Sequence, residues 1–591
     1  MSATAAGSGS SLSDEAAVGA AIGGLLVTAA ATIWISLHGA AAIAGDPAPA
    51  RNPAALLVDL AQGRTSWSTW ASVLAVGAVA AVSAPLVLWL VSRGRRRGSV
   101  DGAARFMATG ADLAGLSAKG ARRKAAQLGA VVDTPGVPVG EAVRTRQRLW
   151  SSWEDMVVLI AGPRTMKTTA YAIPAALAAP GALLVTSNKR DVVDATRGPR
   201  SERGRVWIFD PEHVTGEPAT WWWNPLTYIA AHDPATGLAR RDPATGLAVA
   251  DEARAEKLAA QFVASSIPAG ARQDAYFDGE AENLIALLLL AAACGDHPIT
   301  TVYRWLATPA DESPIDLLGE HRFDLHESSL YALAHLPDKQ REGVYGTARA
   351  RMGWLRNRAL SEWVTPPANP AAGEASPQLH PAELAGSADT LYALSRKDEG
   401  SAAPLVAALT LAVLDALEER ATASPGGRLM VPFLAVLDEA ANICRLRNLD
   451  SYYSHFGSRG IIMLTILQNW AQGEDVWGPK GMEKLWSAAN VKIYGGGVDD
   501  DRFLKRISDL VGPYDRVMRS DSHSRSGRSR SRSLHERPIL TVAQLRELNG
   551  RGVLFASGTR PSLIRPQPWF EDRDAARIRA SIALHAPQGP R

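Results

Sequence analysis

The stretch Met156-Val-Val-Leu-Ile160-Ala161-Gly162-Pro163-Arg164-Thr165-Met166-Lys167-Thr168-Thr169 decides how the rest of the chain is read. Its first five residues form an apolar run of the length of a buried strand. The remainder has the length and ending of a phosphate-binding loop. In such a loop, backbone N–H groups and a helix N-terminus hold phosphate, the Lys reaches the outer phosphates and the hydroxyl binds Mg2+. Measured against G-x-x-x-x-G-K-[ST], Ala161 and Met166 stand where glycines are expected. Ala161 is a mild change. Met166 is sharper, because a left-handed backbone there costs a residue with a Cβ roughly 1–2 kcal/mol and its bulk would crowd bound phosphate. On this stretch alone, an ordinary strand-turn-helix is an equal alternative.

A second element decides between them. Phe433-Leu-Ala-Val-Leu437 is an apolar run that delivers Asp438 and Glu439 at its C-terminal end, where open α/β sheets place their ligands. An Asp-Glu pair at a strand end is often only a helix cap. Paired with a Lys-Thr loop it reads as a nucleotide triphosphatase, one carboxylate holding Mg2+ and the other polarising the attacking water. The phosphate-binding candidates are Gly162, Pro163, Arg164, Thr165, Met166, Lys167, Thr168 and Thr169, the metal candidates Thr168 and Asp438, and the catalytic candidates Lys167 and Glu439. Gln468 ends the run Ile461–Leu467 and is a candidate to sense the γ-phosphate or the attacking water, against the alternative of a surface amide. Arg459, in Gly457-Ser458-Arg459-Gly460, lies at the opposite end of that run and is a candidate arginine finger for a neighbouring subunit's nucleotide.

Working outward, the apolar runs Ala182–Thr186, Val206–Phe209, Val491–Tyr494 and Val553–Ala556 join these three as predicted buried parallel strands. The fold class is therefore α/β, a P-loop nucleotide-binding domain with a predominantly parallel sheet. The long interval between Phe209 and Phe433 offers no convincing strand and shows helical patterning at Glu280–Ala293 and Leu405–Leu417. It reads as an all-helical insertion over 250–370, with the nucleotide-binding domain split into 153–249 and 371–580 and a lead-in at 99–152. A duplicated heptad, Asp233–Ala239 and Asp242–Ala248, is expected as a surface loop. Residues 516–537 are Ser/Arg-rich low complexity, expected to be a mobile loop or a basic finger for nucleic-acid phosphates.

The chain has 591 residues, 46% hydrophobic, with 63 Lys+Arg against 60 Asp+Glu and a net charge of +3. Several domains are implied, and bulk electrostatic coating of nucleic acid is excluded. Cys294 and Cys444, the only two cysteines, fit neither a disulfide framework nor a Cys-based zinc site. Near the N-terminus two uncharged stretches, 16–37 and 66–92, have membrane-spanning length. Trp67, Trp70 and Trp89 lie near the ends of the second, and Arg93, Arg95, Arg96 and Arg97 follow it. A cleaved signal peptide is disfavoured because no Lys or Arg precedes the first stretch. The expectation is a membrane domain over 1–98, with the protein multi-pass in the cytoplasmic (inner) membrane and its nucleotide-binding domain in the cytoplasm.

The order of motifs resembles the type IV coupling proteins, the TraG/TraD-like ATPases of conjugative DNA transfer. It is carried by the Lys167 loop, by Leu437-Asp438-Glu439-Ala440-Ala441-Asn442-Ile443, by Ser458-Arg459-Gly460-Ile461 and by Gln468-Asn469-Trp470-Ala471-Gln472. Asp210-Pro211, Trp223-Asn224-Pro225-Leu226, Tyr494-Gly495-Gly496 and Pro568-Trp569-Phe570 add to it. The resemblance implies a RecA-like, homohexameric membrane motor using ATP and Mg2+, which receives relaxase-bound DNA and pumps it toward a type IV secretion channel. Lys167 and Thr168 would bind phosphate and Mg2+, Asp438 and Glu439 would serve the metal and the water, and Gln468 would sense the γ-phosphate. Met166 departs from the family's Gly. Two other readings stay open: a non-hydrolysing membrane receptor or scaffold with a degenerate P-loop, and an FtsK-type DNA translocase or a protein-secretion ATPase.

Overall fold

The computed structural model describes residues 29–81, 100–232, 239–267, 274–366, 377–396, 402–524 and 527–587, with the backbone alone over 518–531. Residues up to Gly102 and those from Ala103 onward form separate compact units.

In the first unit, helices run over 29–44 and 69–81, with Pro53–Ala61 between them capped by the Asn52 side chain. Leu37, Ala40, Leu56 and Ala71 form its small buried cluster. The two expected membrane spans are not borne out: among the described residues no helix is long and apolar enough to cross a membrane. Residues 16–28 and 82–92 of the expected spans lie outside the described residues. The multi-pass placement in the cytoplasmic membrane rested on those spans and is not borne out by the described helices.

The second unit is built on an eleven-stranded sheet. Its strands, in chain order, are β1 (Val137–Ala142), β2 (Arg148–Ser151), β3 (Val157–Ile160), β4 (Leu183–Ser187), β5 (Val206–Phe209), β6 (Thr390–Leu394), β7 (Phe433–Leu437), β8 (Ile461–Leu467) and β9 (Val491–Tyr494). A separate hairpin, β10 (Pro513–Ser524) and β11 (Gly527–Pro538), intervenes before β12 (Gly552–Ala556) and β13 (Ser562–Arg565). The spatial order is β2-β1-β13-β12-β9-β3-β8-β7-β4-β6-β5. From β9 to β5 all pairs are parallel, and from β9 outward through β12, β13, β1 and β2 all are antiparallel.

The parallel part is largely apolar because both of its faces are covered. Every residue of β3, β4, β6, β7 and β8 is buried. Helices such as Ala403–Ala423, apolar along most of its length, and Trp470–Ala488, kinked at Gly478-Pro479, make the crossovers that parallel pairing requires. Register aligns the C-terminal ends: Ile160 lies opposite both Leu467 and Tyr494, and Leu437 lies opposite Thr186 and Thr465. The residues following β3, β4, β7, β8 and β9 therefore meet along one edge.

All seven predicted strands are present, with three differences. The run Val553–Ala556, expected to be parallel, is β12 and pairs antiparallel with β9. β6 falls inside the interval expected to hold no strand. Five apolar residues between helical segments carry no period that separates strand from helix; β6 is fixed by pairing on both sides, with β4 and β5. The segment 516–537, expected to be a mobile loop or a basic finger, lies in the β10–β11 hairpin, paired from Pro513↔Pro538 to Ser524↔Gly527. Its alternation of Ser and Arg has the period of a strand, and the ladder satisfies backbone groups that no core could. From Glu252 to Ser361 the described residues hold helices and no strand. The first copy of the duplicated heptad, apart from Ala239, lies outside the described residues, and the second is joined by isolated bridges at Arg241↔Ala248.

Candidate functional site

The loop after β3 is clamped by its neighbours. Ala161 N–H donates to Leu467 O at 3.0 Å and Gly162 N–H to Gly496 O at 2.8 Å. A Cβ on Gly162 would lie 1.8 Å from Gly497 O, and one on Gly497, at φ 72°, would lie 2.7 Å from Thr165 Cγ2. Gly162 thus has no room for any side chain. Beyond it, Arg164 (φ 59°) and Met166 (φ 60°) are both left-handed, so the strain expected at Met166 is present. The Met166 side chain is exposed. Thr165 Oγ1 donates to Gly162 O at 2.6 Å, and Lys167 Nζ folds back onto Ala161 O at 2.9 Å and Gly162 O at 3.1 Å. Burial pulls the Lys167 ammonium below the usual lysine range, opposed by the charges of Asp438 and Glu439. The chain then enters a helical turn, Thr168–Ala172, that continues as the helix Ile173–Ala178. Thr169 Oγ1 turns back to Met166 O at 3.3 Å, away from the carboxylates.

Asp438 and Glu439 leave β7 facing this loop. Thr168 Oγ1 donates to Asp438 Oδ2 at 3.4 Å, and Asp438 Oδ1 is buried with no partner. Burial pushes the Asp438 carboxyl up to about 7, with Glu439 and Asp191 adding to the shift and Lys167 and Thr168 opposing it. Glu439 has φ 53°, and its carboxylate is held by three amides. Gln468 Nε2 donates to Oε1 at 2.7 Å, while Asn188 Nδ2 and Asn442 Nδ2 donate to Oε2 at 2.9 and 3.1 Å.

Of the residues singled out from sequence, Lys167, Thr168, Asp438, Glu439 and Gln468 come together on one sheet edge. Pro163 and Gln468 line a cavity of about 580 Å³ whose far wall is Gly497, Val498 and Asp500. Arg459 does not join them: it precedes β8 at its other end, donating to Thr422 Oγ1 at 2.7 Å and pairing with Glu418 at 3.3 Å. Asp210 is buried and accepts from Val214 N, Thr215 N and Thr215 Oγ1, closing the turn after β5. Asn188 and Gly497 were not singled out, and Asn442, Gly495 and Gly496 were quoted only within the family-like stretches, with no role given them. An amide directly after the buried run Leu183–Ser187 was the available signal for Asn188.

The donor set suits a hard divalent cation shared with phosphate. Thr168 Oγ1 and Asp438 Oδ2 are adjacent oxygens, and the orphaned Asp438 Oδ1 is a buried acceptor awaiting a donor or a cation. Among the described residues no group of three or more His, Cys, Asp or Glu could hold a metal ion, so a cation here would depend on the ligand's own oxygens.

A strained loop and a carboxylate pair at the C-terminal edge of a parallel sheet define the class, an α/β protein with a P-loop-type site. Residues 111–369 match the family described as type IV secretory system conjugative DNA transfer, and 432–550 match the TraM recognition site of TraD and TraG. The chain belongs to the type IV coupling protein family. It is 23% identical over 437 residues to the conjugal transfer protein TraG of Agrobacterium fabrum (strain C58 / ATCC 33970), covering 71% of this chain and 60% of that protein. With TraG of Rhizobium radiobacter the identity is 24%, covering 71% and 62%. The chain thus spans about three fifths of the length of the curated relatives it matches. Among solved structures, the conjugative coupling protein TrwBdeltaN70 aligns with a TM-score of 0.49 at 15% identity, over 70% of this chain and 85% of that one. TrwB in complex with ADP and Mg2+ aligns with a TM-score of 0.48 at 15% identity, over 70% and 85%.

Proposed function

We propose that the chain is a RecA-like, ATP-hydrolysing coupling protein of conjugation, which takes relaxase-bound DNA and drives it toward a type IV secretion channel as a homohexamer. The observation that carries this reading is the meeting of Thr168 with Asp438 and of Gln468 with Glu439 on one edge. ATP would lie with its phosphates over the loop 162–168, at the positive end of the helix that begins there. Lys167 would exchange its two carbonyl partners for phosphate oxygens. Mg2+, held by Thr168, by Asp438 and by the phosphates, would neutralise developing charge. Glu439 would accept the proton of the attacking water, and Gln468 would report the γ-phosphate to the helix Trp470–Ala488. Arg459 would leave Glu418 to reach a neighbouring copy's nucleotide, and the helical insertion, 250–370, would face the cargo.

ATP hydrolysis by the purified protein, with and without DNA, tests the reading. Lys167→Ala abolishes turnover, while Glu439→Gln retains nucleotide and loses roughly 10²–10⁴ in rate. A Lys167→Ala protein as active as the parent would sink the assignment.

Met166 favours a second reading, a receptor that recruits cargo without hydrolysis, since its left-handed backbone carries a side chain where the motif has glycine. Turnover by Met166→Gly but not by the parent protein would select that reading. Turnover by the parent removes it.

A further inference from the structure

The two oxygens of the Glu439 carboxylate are engaged unequally. Oε2 accepts from Asn188 and Asn442, Oε1 from Gln468 alone. An ionised carboxylate offers about four lone-pair sites, two on each oxygen. Oε2 is therefore filled, and Oε1 keeps one site open next to the Gln468 amide. The pinning comes from two directions, since Asn188 follows β4 while Asn442 lies in the short helix Ala440–Ile443. All three partners are neutral, so none competes for the proton. Lys167, which feels the charge of Glu439, is bonded to loop carbonyls instead.

We infer that Asn188 is a positioning residue for Glu439: together with Asn442 it saturates Oε2, which makes Oε1, beside Gln468, the oxygen that receives the proton of the attacking water. This rests on the hydrolysis reading above. In the step, the water oxygen bonds to the γ-phosphorus, and the bond from that phosphorus to the β,γ-bridging oxygen breaks with its electron pair leaving on ADP. The water's proton goes to Oε1 and is later returned to the released phosphate. Without Asn188 the carboxylate can rotate and present either oxygen, so the productive orientation is held for a smaller share of the time. Nucleotide contacts do not change, because Asn188 touches none of the loop residues 162–168 among its hydrogen bonds.

The experiment compares the parent protein, Asn188→Ala, Asn188→Asp and the double variant Asn188→Ala/Glu439→Gln, measuring ATP turnover and ADP binding by titration of a fluorescent ADP. Asn188→Ala lowers kcat roughly 10- to 100-fold, leaving KM and ADP affinity within about twofold of the parent. In the Glu439→Gln background the same change costs nothing further. Asn188→Asp replaces the amide donor with a second carboxylate against Oε2 and lowers kcat as Asn188→Ala does. Should Asn188→Ala be too unstable to purify, Asn442→Ala removes the other Oε2 donor and gives the same pattern. The inference is overturned if Asn188→Ala keeps kcat within about twofold of the parent, if its ADP affinity falls in step with kcat, or if its turnover rises. ADP binding without any turnover by the parent protein is a different failure, that of the hydrolysis reading, and removes both.

Discussion

The phosphate loop and the carboxylate turn face each other across the sheet edge, and each holds non-glycine residues in the left-handed region: Arg164 and Met166 in one, Glu439 in the other. They are braced by different means. The loop is pressed against backbone, with Gly162 so close to Gly497 O that it accepts no Cβ, while a Cβ on Gly497 would meet the Thr165 side chain. Glu439 is held by side chains that arrive from two strand ends and a helix turn. Strained residues persist where the surroundings over-determine them, and here one brace is steric and the other is hydrogen bonding. A steric brace tolerates no change in volume, whereas a hydrogen-bonded one can be released and re-formed. The fixed loop suits holding phosphate, and the adjustable turn suits a group that must take up and give back a proton.

Breaking the steric brace has the largest expected effect. Gly162→Ala forces its Cβ onto Gly497 O and is expected to cost about 3 kcal/mol of unfolding free energy, together with nucleotide binding, in denaturant titrations. Asp438 gives the next effect, through pH. Its folded pKa, about 7, is raised above the ordinary 3.8, so the folded protein binds the extra proton and stability falls as pH rises between those values. Asp438→Asn, which cannot ionise, matches the parent near pH 4 and melts about 3 °C higher by pH 8 in the absence of Mg2+ and nucleotide. A gap that closes with rising pH would contradict the assignment of Asp438 as the buried, cation-seeking carboxyl. Met166→Gly gives the smallest effect. It relieves the left-handed strain at the cost of a more flexible unfolded chain, for a net gain of about 0.5–1 kcal/mol. No gain would mean that the loop is relaxed around Met166.

Much of the parallel sheet was legible because its strands are short apolar runs ending in polar residues. The three that carry Lys167, Asp438-Glu439 and Gln468 could each be placed from their flanking residues alone. The antiparallel strands β1, β2 and β13 were less so. β1 alternates between buried and half-buried positions and is interrupted by Gly140 at φ 128°, where its pairing with β2 shifts register. At the site, Thr168 and Asp438 lie 270 positions apart and were joined through motif chemistry. Asn188 and Glu439 lie 251 apart, and no motif spans them. Only the register of β4 beside β7 brings that amide to the carboxylate. The expected spans 16–37 and 66–92 rested on lack of charge alone, and among the described residues no helix is long and apolar enough to cross a membrane.

β8 has seven buried residues, hydrogen-bonded on one side to β3 and on the other to β7. Gln468 stands at one end and Arg459 at the other, so the strand fixes their separation at roughly 20 Å, at 3.3 Å per residue. It cannot slide without dragging both the loop strand and the carboxylate strand with it. The strand is thus a rigid rod between two kinds of chemistry: lengthening or shortening it by two residues would keep its faces in place and move the Gln468 end relative to the Arg459 end.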